Sequence, residues 1–313
     1  MRTLALVTAI AATGTDTDMV PLLEACARAG WPADVRAWDD PTVTWSRYDA
    51  VLLRSPWDYT ERLPEFLAWC ERVAARSQLL NPLPVVRWNT DKHYLADLAA
   101  RGVAVVPSAY VEPDADPLPA LQAFLADHAE AGEFVVKPTV SAGSRDTQRY
   151  ARAQEFAAAN HIARLLDAGR SVLLQPYLAS VDRDGETALL YFDGDYSHAI
   201  RKGALLRPDT GATEALFAPE QIVAREPAAD EHALAQAVLA AAHDALRLDA
   251  PLAYARVDLI RDGDGTPRLL ELELCEPSLF FPYAEGSADR FVAVLRRALS
   301  KLRNERAKPS QDQ

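Results

Sequence analysis

The chain has 313 residues, 49% of them hydrophobic and 25% charged, and a formal net charge of -12. That length suits two or three packed lobes rather than one small domain, and the composition is that of a folded, soluble globular protein. The acidic balance argues against duplex nucleic acid as a partner, because neutralising phosphates needs basic surface, yet it leaves room for a small anion in a locally basic cleft.

The opening stretch MRTLALVTAIAATGT superficially resembles a signal peptide. It reads better as a first parallel strand, Leu4 to Ala9, then a turn and a helix over about Met19 to Ala29. Ala50 to Leu53 forms the next buried strand. In ERLPEFLAWCERVAAR the apolar residues Leu63, Phe66, Leu67, Trp69, Cys70 and Val73 recur at helical spacing. From Leu79 a short strand, a Pro-punctuated link, a helix stopped by Gly102 and a further strand follow. Alternation of this kind predicts a doubly wound parallel sheet.

The middle begins with a helix ending at Gly132, the strand EFVVKP and a polar loop, TVSAGSRDTQRY. Two helices, or one broken helix, then run to about Asp167, and SVLLQPYL is the next strand. The last third predicts a hairpin turning at Asp193-Gly194 and a helix from about Asp230 to Leu246. Two antiparallel strands around RDGDGTP and a helix from Ala288 to Arg303 complete it, with 304–313 a disordered tail. Cys26, Cys70 and Cys275 are scattered without a CxxC pair, so reduced thiols in a cytoplasmic protein are expected rather than a zinc site. No run reaches the apolar length of a membrane span.

The segment RLLELELCEPS puts Glu271 and Glu273 side by side on one sheet face. Hairpin pairing brings Asp258 to the same patch. Buried carboxylates so close together need compensation. Mg²⁺, which favours hard oxygen ligands, is one source. Arg256 and Arg268, as cross-strand partners on an exposed face, are the other. Lys137 ends a strand directly before Ser141, Ala142, Gly143 and Ser144, small residues whose N-H groups can approach an anion. Lys92 stands near a helix start. No GxxxxGK[ST] motif is present, so a P-loop enzyme is not indicated.

NTDKHYLADLAARGVAVVPS, FVVKPTVSAGSRDT, LLQPYL, AYARVDLI and LLELELCEPSLFF together resemble the ATP-grasp superfamily over residues 1 to about 300. Within it the chain is similar to the carboxylate-amine ligases related to glutathione synthetase and D-alanine–D-alanine ligase. The resemblance implies an α/β protein with α+β lobes: an ATP-grasp fold behind an N-terminal doubly wound parallel-sheet domain. The expected division is 1–88 for that domain, 89–176 for a nucleotide-clamping lobe and 177–303 for the lobe with the metal site. By the same resemblance ATP and Mg²⁺ are the cofactors, and Lys92 and Lys137 hold the nucleotide phosphates. Ser141 to Ser144 form the covering loop. Gln175, Pro176, Tyr177 and Leu178 make the adenine hinge, and Leu270 joins the nucleotide set. Arg256 steadies the transferring phosphoryl group, Arg201 or Lys202 faces the phosphates, and Asp258, Glu271 and Glu273 are the metal ligands. Two departures stand out: the family has Asn where this chain has Glu273, and its loop often carries more glycine than SAGS.

The activity implied is phosphorylation of a small amino-acid carboxylate to an acyl phosphate, which an amine nitrogen attacks; Cys275 is then packing rather than a nucleophile. Substrate contacts are expected from Arg54, Trp57, Asp58 and Tyr59, beyond a strand end where open α/β sheets bind ligands. The same stretch also reads as a capped helix start with a surface aromatic. Glu276, Ser278 and Glu285 are further candidates. LLRSPWDY with LLELELCEPSLFF also resembles the O-ureidoserine cyclo-ligases, which implies closure of O-ureido-D-serine to D-cycloserine by a nitrogen of the same molecule. A dipeptide-forming ligase, a kinase that stops at phosphoryl transfer and a non-catalytic nucleotide sensor are the alternatives. The partners implied are a small amino acid and, by analogy, a second copy in a homodimer, with neither nucleic acid nor membrane.

Overall fold

A strand buried on both faces loses alternation and reads as a continuous apolar run. β1 (Leu4–Thr8) is wholly buried in this way in the computed structural model, which describes residues 3–206 and 221–306. It is followed by α1 (Met19–Arg28), β2 (Ala33–Ala37), β3 (Ala50–Ser55), α2 (Leu63–Ala74) and β4 (Gln78–Leu80). The four strands form a parallel sheet of order β2-β1-β3-β4. Leu22, Ala25 and Cys26 of α1 pack with Leu4 and Leu6, whereas Phe66, Trp69 and Val73 of α2 pack with Ala5 and Val7. The sheet is therefore doubly wound, as expected.

α3 (Leu83–Asn89) and α4 (Tyr94–Ala100) come next; α3 occupies what the sequence suggested was only a link. Then β5 (Ala109–Val111), α5 (Pro117–Asp127), β6 (Glu133–Pro138), β7 (Gln148–Ala151), α6 (Glu155–Asp167) and β8 (Val172–Pro176) build an antiparallel sheet of order β5-β8-β6-β7. Its core is closed by α5 and α6 through Leu121, Phe124, Ile162 and Leu165. Where two helices or one broken helix were expected, a single 3-10 turn over Arg152–Gln154 runs into α6.

The third sheet is antiparallel, of order β11-β10-β9-β12-β13. It contains α7 (Ser180–Asp184), β9 (Glu186–Phe192), β10 (Asp195–Lys202), β11 (Ile222–Arg225), α8 (Ala229–Leu246), β12 (Tyr254–Arg261) and β13 (Pro267–Glu273). The β9–β10 turn has positive φ at both Asp193 (52°) and Gly194 (84°), the geometry that makes Asp-Gly a tight hairpin. One face of this sheet (Leu189, Ala199, Val257, Leu272) packs on α3, α4 and α8. The segment 94–105 thus shares this core, and Val105 bridges to Leu269. The other face is apolar at one end and charged at the other. Leu190, Phe192, Ile200 and Tyr254 join the core of β1 and α1, while Lys202, Arg256, Asp258, Glu271 and Glu273 share its charged end.

α9 (Ser287–Arg306) returns to the first sheet, placing Phe291, Val292 and Leu295 in the α1 core. It carries helix three residues into the expected disordered tail; the rest of that tail lies outside the described residues. The lobes are stitched by polar groups too. Buried Asn81 donates from Nδ2 to the carbonyls of Tyr254 and Leu274 (both 2.9 Å) and accepts from Ala253 N-H.

Candidate active site

One cavity of ≈ 420 Å³ opens where the three sheets meet. Its floor is the charged end of the third sheet. In the β12–β13 register Arg256 faces Glu273 and Asp258 faces Glu271, so all four side chains stand on one face. The pairing slips by one residue after Asp258, and Leu270, at that bulge, lines the cavity beside Ile260.

Each acid on this floor has a cation at hand. Lys92 Nζ lies 3.0 Å from Glu271 Oε1 and donates to the carbonyl and hydroxyl oxygens of Ser141 (both 3.0 Å). Lys202 Nζ lies 2.7 Å from Asp258 and 2.9 Å from Glu186. Arg256 donates to both oxygens of Asp258 (2.8 and 2.9 Å) and to Glu273. Burial pushes the Asp258 carboxyl up, but Arg256 and Lys202 outweigh it and hold it down at about 2. Burial likewise opposes ionisation of Glu271, and Lys92 and Lys137 again win, leaving its pKa lowered. Glu273 goes the other way: burial pushes it up to about 8, against Arg256 and with repulsion from Glu271 and Asp258.

Asp258, Glu271 and Glu273 offer hard oxygen donors on adjacent rigid strands, which suits a cation such as Mg²⁺. Glu273 is raised chiefly by burial, with repulsion from Glu271 and Asp258 adding to it, so a further positive charge beside it would be favourable. The donor set therefore fits a divalent ion, although here the neutralising is done by side chains. Asp258 departs from the sequence expectation. Its two oxygens are bound by Arg256 and Lys202 beneath the surface, and only Glu271 and Glu273 line the cavity. Among the described residues no three acids converge on a single point.

The second sheet forms the opposite wall. Lys137, at the end of β6, is buried, and that burial pushes its ammonium down to about 8. Ser141 to Ser144 follow it into the cavity lining, with Gly143 and Ser144 both at positive φ (60° and 59°). Gln175, Pro176, Tyr177 and Leu178 line the cavity from the end of β8. Gln175 is held by a hydrogen bond to Ser108 Oγ (2.9 Å).

The first sheet supplies the third wall. Trp57 and Tyr59, on the turn after β3, reach the cavity and bind the segment beyond β13. Trp57 Nε1 donates to the Glu276 carbonyl (3.2 Å) and Tyr59 to its carboxylate (2.7 Å). Ser278 lines the same wall. Four candidates prove to lie elsewhere. Arg54 is wholly buried between Asp16 (3.7 Å) and Asp18 (3.5 Å) and donates to the Pro277 carbonyl (3.0 Å). Asp58 accepts from Trp38 Nε1 (2.8 Å) and Arg62. Arg201 turns away to the Arg183 and Asp184 carbonyls. Glu285 is absent from the lining. Sequence reasoning missed Thr15, Thr17 and Glu186, which also line the cavity; for Glu186 the signal was its place opposite Lys202 in a hairpin. Cys275 is buried beneath the site and its thiol is pushed well up by burial, as befits packing.

Residues 4–81 match the family model described as "D-cycloserine synthetase DcsG, N-terminal domain". The sequence is 52% identical over 295 residues to the cycloserine biosynthesis protein DcsG of Streptomyces lavendulae, covering 94% of this chain and 98% of that protein. The crystal structure of D-cycloserine synthetase DcsG matches with a TM-score of 0.91 at 52% identity, over 95% of this chain and 99% of the other. Two more distant structures share the fold. The ATP-grasp ligase PsnB, solved with a minimal precursor, Mg and ADP, gives a TM-score of 0.60 at 21% identity, covering 95% and 98%. D-Alanine–D-alanine ligase from Bacillus anthracis gives 0.68 at 15%, covering 98% and 100%.

Proposed function

The chain belongs to the D-cycloserine synthetase (DcsG) family of ATP-grasp ligases, and on that premise we propose that it closes O-ureido-D-serine to D-cycloserine using ATP. The observation that carries this reading is the meeting of three unlike walls in one cavity: lysines and a small-residue loop, an acidic floor, and an aromatic wall of the first sheet.

ATP lies against the second sheet, its adenine along Gln175, Pro176, Tyr177, Leu178 and Leu270 and its phosphates toward Lys92 and Lys137. Ser141 to Ser144 close over it and exclude water. Glu271 and Glu273, with Asp258 beneath them tied to Arg256 and Lys202, would hold Mg²⁺, whose charge would neutralise phosphate oxygens when bound. The substrate carboxylate attacks the γ-phosphorus, the bond to the β-phosphate oxygen breaks, and ADP leaves. Arg256 and Lys202 stabilise charge on the transferring group, a positional and electrostatic task. The ureido nitrogen bonded to oxygen then attacks the acyl carbon, losing its proton as phosphate departs and the ring closes. That nitrogen carries a carbamoyl group that D-cycloserine lacks, so water must remove it as carbon dioxide and ammonia. We assign the reaction to the cytoplasm, where ATP is made available, in keeping with three buried free thiols.

The test is ADP release with Mg²⁺ and ATP against single amino acids and pairs. Stimulation by O-ureido-D-serine alone, with D-cycloserine identified by mass, is expected. Turnover only with pairs of amino acids would make the enzyme a dipeptide ligase, and phosphorylated substrate without ring closure would make it a kinase.

A further inference from the structure

Four carboxylates line the cavity: Glu186, Glu271, Glu273 and Glu276. Three have a cation of the chain as partner, namely Lys202 (2.9 Å), Lys92 (3.0 Å) and Arg256. Glu276 is the exception. Among the described residues its carboxylate has the Tyr59 hydroxyl at 2.7 Å and no Lys, Arg or His within ion-pair distance. Lys92 and Arg256 reach it only through space, each already bound to another acid. Burial accordingly pushes the Glu276 carboxyl up to about 7.

The side chain is also held. Tyr59 is 3% exposed and stacks on Phe66 at 5.0 Å, so its hydroxyl is fixed by the core of the first sheet. Trp57 secures the Glu276 carbonyl. A rigid, buried carboxylate without a cation of its own is costly unless a cation arrives with the ligand. Of the groups on a free amino acid, only the ammonium supplies that charge, with three N-H donors.

We propose that Glu276 receives the α-ammonium group of the amino-acid substrate, with Tyr59 as its positioning residue. The assignment rests on the amino-acid reading given above and adds to it. The substrate is gripped at two separate points, carboxylate at Arg256 and ammonium at Glu276, which leaves its third arm free to fold back onto the activated carbon.

The experiment compares O-ureido-D-serine and D-serine with their des-amino counterparts, by ADP release and by calorimetric binding with Mg²⁺ and a non-hydrolysable ATP analogue. Wild type is expected to prefer the amine-bearing ligand by at least about tenfold, as a charge-assisted hydrogen bond supplies. Glu276→Gln should level that preference while leaving the KM for ATP within about twofold. Tyr59→Phe, which keeps the ring and its packing, should raise the amino-acid KM several-fold with little change in kcat. A Glu276→Gln protein that keeps the wild-type preference overturns the proposal, as does a wild type with no preference. Failure of O-ureido-D-serine to stimulate wild type, with the preference intact in binding, overturns only the substrate reading.

Discussion

Glu271 stands where three demands cross. It pairs with Lys92, faces Asp258 across the hairpin, and opens onto the cavity. Replacing it by the isosteric Gln removes the charge and keeps the shape, so the fold should persist. Turnover with Mg²⁺ and ATP is expected to fall by about 10²-fold or more, the scale for losing one preorganised electrostatic group. Melting temperature is expected to shift by no more than a few degrees. Near-normal ADP release from Glu271→Gln would remove this residue from the metal set. The chain was legible at this scale because strand alternation alone puts Glu271 and Glu273 together. It was not legible at Arg54, since a guanidinium in LLRSPWDY looks the same whether it meets a ligand or, as here, two buried aspartates.

That arginine matters at the scale of elements. Asp18, just before α1, accepts the N-H groups of Leu279, Phe280 and Phe281 at 2.5, 3.0 and 2.9 Å, and Arg54 ties the same turn through Pro277. A buried ion pair in the first sheet thus sets the turn that carries Ser278 and Phe280 into the cavity. Breaking such a pair leaves an uncompensated charge, at about 3–5 kcal/mol. Asp18→Asn should show that loss in urea unfolding, with a raised amino-acid KM in whatever folded protein remains. Unchanged unfolding would mean the turn is held by packing alone. Elements whose signal is apolar periodicity, such as α2 and β12, were visible in the sequence. β2 was not, because the edge strand ADVRA has no apolar run to announce it. Nor was β7, where QRYA is short and has no apolar run, although Arg149 pairs with Glu133 and Tyr150 stacks on Phe134 of β6. α3 was hidden by the prolines at its start, which suit a first helical turn as readily as a link.

For the whole molecule, two buried histidines outside the cavity lining should make an acid-labile contribution to stability. Burial holds both His161 and His198 down at about 4, against 6.5 when exposed. Between those values the unfolded chain binds protons that the folded one refuses. Their contribution to stability is therefore complete above about pH 6.5 and is lost as pH falls toward 4, while Glu273 and Glu276, pushed up to about 8 and about 7 by burial, contribute in the opposite sense over much of that window. Each histidine contributes a slope of up to about 1.4 kcal/mol per pH unit in that window. Measured from pH 7 to 4, the unfolding free energy of His198→Gln relative to wild type should rise by up to about 1.4 kcal/mol per pH unit; an unchanged difference would assign this histidine no part in acid sensitivity.

The return of α9 to α1 bears on the order in which the molecule is made. The first sheet leaves the ribosome early, with Leu22, Ala25 and Cys26 packed with Leu4 and Leu6 but the far side of their core not yet made. All three sheets must be synthesised before Phe291 and Leu295 arrive to cover them. Domains that emerge first ordinarily fold first. Here the core of the earliest unit is completed only when a helix encoded after every strand locks the beginning of the chain to its later part.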